Sequence, residues 1–282
     1  MLFVGNNMKK IFFFLILNIS FNTFSQKNVS HVPDFLVSYI MVYKNFSTSE
    51  STLSVNTTLI VNDEASLFTF DGMINFNKIQ KERELAIDDI IVNRVPFHFL
   101  IKSKGDIVEH FETIGSDSYV HKEKLSNNWK LINQDTIIRG FNCKKATLNY
   151  GGREWIAWYN PEIPITVGPY KFHGLPGLIM SISDSENIFS FIVNEVKRGD
   201  FTFDSKIEDY FVKDGGKPFE SIKLDEFYKI RKKFSEMSLN EQIKYSNRDE
   251  VAVPTLIVQG ENTDNPRLNS KPKKKNFIER FE

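Results

Sequence analysis

One cysteine, five histidines and a carboxylate set between prolines are the residues of this 282-residue chain that bear on chemistry. Cys143 is the candidate nucleophile, and a reactive thiol needs a neighbouring base or cation to become a thiolate. Lys144 and Lys145 follow it, but along a strand Lys144 points to the opposite face. A small, buried, apolar role is therefore the favoured reading of Cys143. A lone cysteine also excludes an intramolecular disulfide and a sulfur-ligated zinc site. The histidines are His31, His98, His110, His121 and His173. None has the four-residue helical spacing of a metal pair and no HExxH occurs, so no metal is expected. There is no GxSxG, Walker loop or dinucleotide fingerprint, so no cofactor is expected either. An enzyme reading would rest on Cys143 or His173 in a hydrolase-like role.

Glu162 lies in Pro161-Glu162-Ile163-Pro164 and has no second carboxylate beside it for acid–base work. Accepting from backbone donors suits it better than catalysis. The aromatic set Trp155, Trp158, Tyr159, Tyr170 and Phe172 surrounds the same segment. On a strand Trp158 shares a face with Glu154, whereas Trp155 and Tyr159 face the other way. Core packing is the plainer role for this set. The alternative is an apolar or peptide ligand held by Trp158, Tyr159, Tyr170, Phe172 and His173.

Partners are narrowed by charge. The chain carries 36 Lys+Arg against 36 Asp+Glu, and no basic stripe with interleaved aromatics, so nucleic acid is excluded. The basic run Lys271–Lys275 reads as a solvated end segment. Near the start, Lys9-Lys10 precedes Ile11 to Leu17, an apolar run too short to span a bilayer. Polar and small residues follow up to Ser25. This is the pattern of a secretory leader over residues 1–25, cleaved before Gln26. The mature chain is expected to be exported, periplasmic or secreted, without a transmembrane segment. Losing Lys9 and Lys10 takes its net charge from 0 to −2.

The elements that must position these residues are mostly strands. Phe35–Tyr43 is β-branched and aromatic, as a pleated surface favours. Thr57–Val61 and Ser66–Phe70 flank a polar break at 62–64, and Val95–Lys102 and Asp106–Thr113 flank Ser103-Lys104-Gly105. Pro96 places the former near an edge or a strand start. Trp129–Ile132 and Asp135–Ile138 come next. Cys143–Tyr150 and Glu154–Tyr159 pair about Gly151-Gly152, a reversing turn. Leu178–Ile182 and Ile188–Val193 form the last pair. Such short connections favour antiparallel pairing. Helical spacing appears over Lys223–Glu236, and Ser238 with Glu241 reads as a capping box. Phe76–Asp89 fits a helix or a long loop. The fold expected is mainly β, a curved antiparallel sheet with a few C-terminal helices. One β-rich domain covers 26–261, and 262–282 reads as a loose polar tail.

Between these strands stands Gly174-Leu175-Pro176-Gly177-Leu178-Ile179, after Pro161, Pro164 and Pro169. Pro176-Gly177 suits a type II turn, with Gly177 at positive φ and Gly174 admitting a close backbone approach. The prolines stiffen the approach to it. This hexapeptide resembles the signature of the GLPGLI family of exported Bacteroidetes proteins. Gly140-Phe141-Asn142-Cys143-Lys144-Lys145-Ala146 is similar to that family's Gly-aromatic-x-Cys-x-Lys-Ala element. Trp158-Tyr159, Pro161 to Pro164 and Gly168-Pro169-Tyr170 extend the resemblance. Asn276-Phe277-Ile278-Glu279 resembles its Asn-Pro-Ile-Glu ending, with Phe277 in place of proline. The resemblance implies export in a Gram-negative host and no established catalysis. The strand-rich pattern also looks like envelope carriers with a half-barrel sheet.

From this follows an exported, non-enzymatic envelope protein that binds an apolar, lipid or peptide ligand. The alternatives are a structural or interaction partner in an envelope complex, and the hydrolase-like enzyme above. Gly174 to Ile179 and Cys143 are read as structural rather than catalytic.

Overall fold

Alternating buried and exposed side chains mark most of the strands, and the computed structural model arranges them as a single sheet. It describes residues 34–44, 50–62, 65–71, 99–199, 218–246 and 277–280, all within the compact unit Pro33–Glu282. The first meander is β1 (Asp34–Tyr43), β2 (Leu53–Val61), β3 (Ser66–Phe70), β4 (Phe99–Lys104), β5 (Ile107–Ile114) and β6 (Asp117–Lys124). The second is β7 (Lys130–Ile138), β8 (Phe141–Tyr150), β9 (Arg153–Asn160), β10 (Leu178–Asp184) and β11 (Phe189–Gly199). A two-residue β12 (Glu220–Ser221) precedes α1 (Leu224–Glu236) and α2 (Leu239–Ser246).

The strand order is β12-β6-β5-β4-β3-β2-β1-β11-β10-β9-β8-β7. Every pair is antiparallel except β12 with β6. The two meanders join where β1 pairs with β11, so consecutive strands β6 and β7 stand at opposite ends. A flat sheet would separate them by ten strand spacings, about 48 Å. The chain from Lys124 to Lys130 can reach about 22 Å at most. The sheet must therefore curl. Curvature here is a consequence of connectivity, and the half-barrel expectation holds.

The concave side is filled by large side chains, among them Trp155, Phe68, Phe70, Phe99, Phe172 and Phe191, all fully buried. A smaller cluster of Leu67, Leu100 and Phe111 lies on the other face of β3–β5, where Phe219 packs edge-on to Phe111. On α1, Phe227 and Arg231 are buried one turn apart, which is why their spacing was legible. The capping box of α2 is formed: the Ser238 amide donates to Glu241 at 2.6 Å, and the Glu241 amide to Ser238 Oγ at 3.4 Å.

Two expectations change. The strand β6 was not anticipated. It carries Asp117, His121 and Glu123 where apolar residues would normally announce a strand, and its inward positions serve a polar network. Residues 277–280 are not a loose tail, since Ile278 and Glu279 are buried. The leader, Phe76–Asp89, Val95 with Pro96, and Lys271–Lys275 lie outside the described residues. No helix among the described residues is long and apolar enough to cross a membrane.

Candidate functional site

The hexapeptide turn is built differently from its sequence expectation. Gly177 N–H donates to Leu175 O at 2.9 Å, a three-residue turn about Pro176 rather than a type II turn. Gly177, at φ 145°, is also the position of closest approach: a Cβ there would sit 2.1 Å from Asn160 O. Gly174 has φ 89° and open space around it, so it supplies conformation rather than proximity. Leu175, Leu178 and Ile179 are buried, and Tyr39 on β1 donates its hydroxyl to Ile179 O at 2.9 Å. Asn160 organises the other side. Its Oδ1 accepts from the amides of Glu162 and Ile163, and its Nδ2 donates to Asn142 O at 2.8 Å. The Glu162 side chain itself is exposed.

Further along, Val167 bridges His173, and Phe172 N–H donates to Pro169 O. The tip residue Tyr170 takes φ 56°, a strained region for an aromatic residue. That tip aims Tyr170 and Lys171 at β4–β6, while Phe172 packs on Trp155, Tyr150 and Trp129 at the other end of the sheet. The 161–177 segment thus ties the two ends of the curl together.

What Lys171 meets there is a buried ionic network that sequence reasoning missed. Cross-strand register sets His110 opposite His121, with their rings 4.9 Å apart and both against Phe227. Glu112 and Glu123 lie two residues beyond each histidine on the same faces. Lys171, its side chain fully buried, contacts Glu123 and reaches Glu279 at 2.8 Å. Glu279 also accepts from Tyr170 and Tyr228, and from Tyr150 at 3.2 Å. Arg231 lies 3.3 Å from Glu112, and His110 Nε2 lies 3.1 Å from the same carboxylate. A second buried pair, Arg153–Asp184 at 2.7 Å, stands beside it, and Arg153 donates to the carbonyls of Phe277 and Ile278. The signal was present in the sequence as His-x-Glu twice, at 110–112 and 121–123, on adjacent strands.

Burial works against the Glu279 carboxylate, but Lys171 and the Tyr170 and Tyr228 hydroxyls outweigh it and hold its pKa well below the usual range. Glu123, with burial dominant, is pushed up despite Lys171. Burial, with Lys171 nearby, lowers His110 to about 4. Burial and His110 lower His121 to about 2. Lowered in this way, both imidazoles favour the neutral form at pH 7 in the folded chain.

Between pH 6.5 and 4 the unfolded chain binds a proton on each histidine that the folded chain refuses, so stability falls as pH falls. The raised Glu123 opposes this by up to one proton just above its ordinary value. A net loss of roughly 2–4 kcal/mol from pH 7 to pH 5 is expected. Urea midpoints at pH 7, 6 and 5 measure it, and a flat profile would contradict neutral buried histidines.

His31 and His98 lie outside the described residues, and the expected ligand-binding residues and Cys143 lie within them. Tyr159, Tyr170 and Phe172 are buried, Trp158 is half-buried beneath the Lys145 ammonium, and His173 is half-buried. His173 Nδ1 meets Asn127 Nδ2 at 2.9 Å, and its carbonyl accepts from Trp129 at 2.8 Å. Of the five, Tyr170, Phe172 and His173 line one small cavity, together with Lys171 and Ser103. Cys143 is buried, its thiol pKa pushed up by burial, and its Sγ–H donates to Phe141 O. A cavity of about 10 Å³ beside Lys171 and Ser103 holds one water at most. No cluster among the described residues could hold a metal ion.

At the far end of the sheet the surface is different. β7 pairs only with β8 among the described strands, whereas β6 is covered by β12 and α1. Leu131 is 57% exposed, Ile137 70% and Phe141 39%, three of the five exposed large apolar residues among those described.

A family model described as a protein of unknown function, Porph_ging, matches residues 150–181, the stretch from the β8–β9 turn through the hexapeptide. No curated protein matches the chain. Among solved structures, PNGF-II is 14% identical with a TM-score of 0.50, covering 74% of this chain and 34% of its own. The chain thus spans about a third of the length of PNGF-II. A LolA superfamily protein from Nitrosomonas europaea overlaps 60% of this chain and 87% of its own at 9% identity and a TM-score of 0.26. A domain described as an outer membrane lipoprotein-sorting protein, from Vibrio parahaemolyticus, overlaps 63% and 88% at 10% identity and 0.25. The chain is similar in fold to part of PNGF-II, and it shares with the Porph_ging proteins the segment that closes its own curved sheet.

Proposed function

We propose that this chain is an exported, non-catalytic envelope protein that binds an apolar ligand, lipid or peptide, at the open β7–β8 end of its sheet. One observation carries the reading: exposed Leu131, Ile137 and Phe141 all lie on the β7–β8 hairpin, where the sheet ends with no covering strand among the described residues. Several exposed large apolar side chains on one terminal hairpin fit an interaction site. The concave side is a poorer candidate, because Phe68, Phe99, Trp155 and Phe172 fill it. Catalysis by Cys143 has no support in a buried thiol whose pKa is raised. Export rests on the leader pattern of residues 1–25.

A photoreactive residue at position 137, introduced in cells, is expected to give one reproducible adduct, identified by mass. The same residue at position 107, also exposed but on β5, is expected to give none. Equal labelling at both positions would overturn the reading. So would a co-purifying ligand, detected by native mass spectrometry, whose retention is indifferent to Leu131→Asp with Ile137→Asp.

A further inference from the structure

The β7–β8 hairpin departs from the charge balance of the chain. Although the whole sequence is neutral, Lys130–Lys145 holds Lys130, Arg139, Lys144 and Lys145 against Asp135 alone. Its turn is Arg139-Gly140, with φ 51° and 84°, the two-residue connection that favours Asn-Gly. Arginine tolerates positive φ poorly, so a cation is kept at the tip against the local conformational preference.

The apolar residues at this tip point both ways. Ile137 lies opposite Asn142 and Ile138 opposite Phe141, so Ile137 occupies one face and Ile138 with Phe141 the other. A single flat protein partner covers one face of a hairpin. A fluid apolar phase surrounds both. Behind the tip, Lys144 and Lys145 lie three and four residues beyond Phe141, about 10–13 Å along the strand. Trp158, opposite Lys145 on β9 and 5.6 Å beneath its ammonium, stands at the same level. Apolar tip, tryptophan and lysines in this order follow the polarity gradient of a lipid interface.

We propose that this hairpin docks the protein on an anionic lipid surface. Ile137, Ile138 and Phe141 enter the headgroup–acyl boundary, and Lys144 and Lys145 meet the phosphates. Arg139 limits the depth to what its side chain can span back to the phosphate layer. The inference rests on the reading that the ligand is taken at this end of the sheet, and it names that ligand as lipid.

The test is vesicle co-sedimentation with the chain beginning at Gln26, because Ile11–Leu17 would itself partition into lipid. Vesicles of phosphatidylglycerol with phosphatidylethanolamine are expected to bind it, and phosphatidylcholine vesicles to bind at least tenfold more weakly. Lys144→Gln with Lys145→Gln should weaken binding about 20-fold. Ile137→Ser with Phe141→Ser should weaken it at least tenfold, while Ile107→Ser leaves it unchanged. These side chains are exposed or half-exposed, and unchanged urea midpoints confirm folding. Binding indifferent to both double variants, or equal on both vesicle types, overturns the proposal. A protein adduct at position 137 without vesicle binding overturns lipid as the ligand and leaves the sheet-end reading standing. Neither adduct nor vesicle binding overturns both.

Discussion

Glu279→Gln is expected to cost about 3–5 kcal/mol of folding stability, the usual penalty for removing one partner of a buried ion pair. The change keeps the shape of the side chain and removes its charge. Lys171, fully buried, is then left with Glu123, whose own carboxyl is pushed toward the neutral form. Tyr150 and Tyr170 donate to one carboxylate oxygen and Tyr228 to the other, so the NH2 of glutamine removes the acceptor on one side and leaves only an uncharged one on the other. These contacts join β8, the 161–177 segment, α1 and residues 277–280, so the loss is shared by four pieces of the fold. Lys171→Met should cost a comparable amount, since it strands the Glu279 carboxylate in a buried site. The double variant should cost less than the two singles added together, because removing both charges also removes their desolvation. Urea denaturation followed by tryptophan fluorescence supplies the cycle. Single effects below about 1 kcal/mol, or strict additivity, would show that the network does not hold the pieces together.

Gly177→Ala is expected to cost more than about 4 kcal/mol or to prevent folding, placing it among the exceptional single substitutions. Its added Cβ would sit 2.1 Å from Asn160 O and 2.7 Å from Pro161 Cα. These are backbone atoms, so no side chain can swing aside to make room. Asn160 is held in turn by three hydrogen bonds and cannot retreat without releasing the Pro161–Ile163 turn. Gly174→Ala is the matched comparison. It meets nothing within 4 Å, and its positive φ alone should cost about 1–2 kcal/mol. Soluble yield and urea midpoints of the two variants separate proximity from conformation. Equal effects would mean that the close approach at Gly177 is relieved by a shift of the chain.

Much of the architecture was legible residue by residue. Hairpins about Gly151-Gly152 and the polar break at 62–64, the α1 face carried by Phe227 and Arg231, and the capping box at Ser238 all follow from local rules. These rules depend on neighbours within a few positions, and a sequence displays such neighbours directly. The strand β6 escaped because its inward residues are polar, and periodicity of hydrophobicity is blind to a strand that faces an ionic network. His110 and His121 lack the helical spacing of a metal pair. Their actual relation, opposite each other across two strands, depends on hairpin register rather than on distance in sequence.

Residue types and local spacing in the chain settle its β-rich character, its reversing turns, the placement of its single thiol on a strand, and the stiffness of the Pro/Gly segment. They do not settle which residues meet across long separations. Glu279 reaches Lys171 only because the sheet curls, and the curl follows from a connection too short to cross a flat sheet. Ile137 and Phe141 are exposed because the second meander ends at β7, and no property of either residue announces that it lies at a border. A buried charge is tolerable only where several distant partners converge on it. Convergence of that kind is a property of the closed fold, since each partner, read alone, looks like an ordinary surface group.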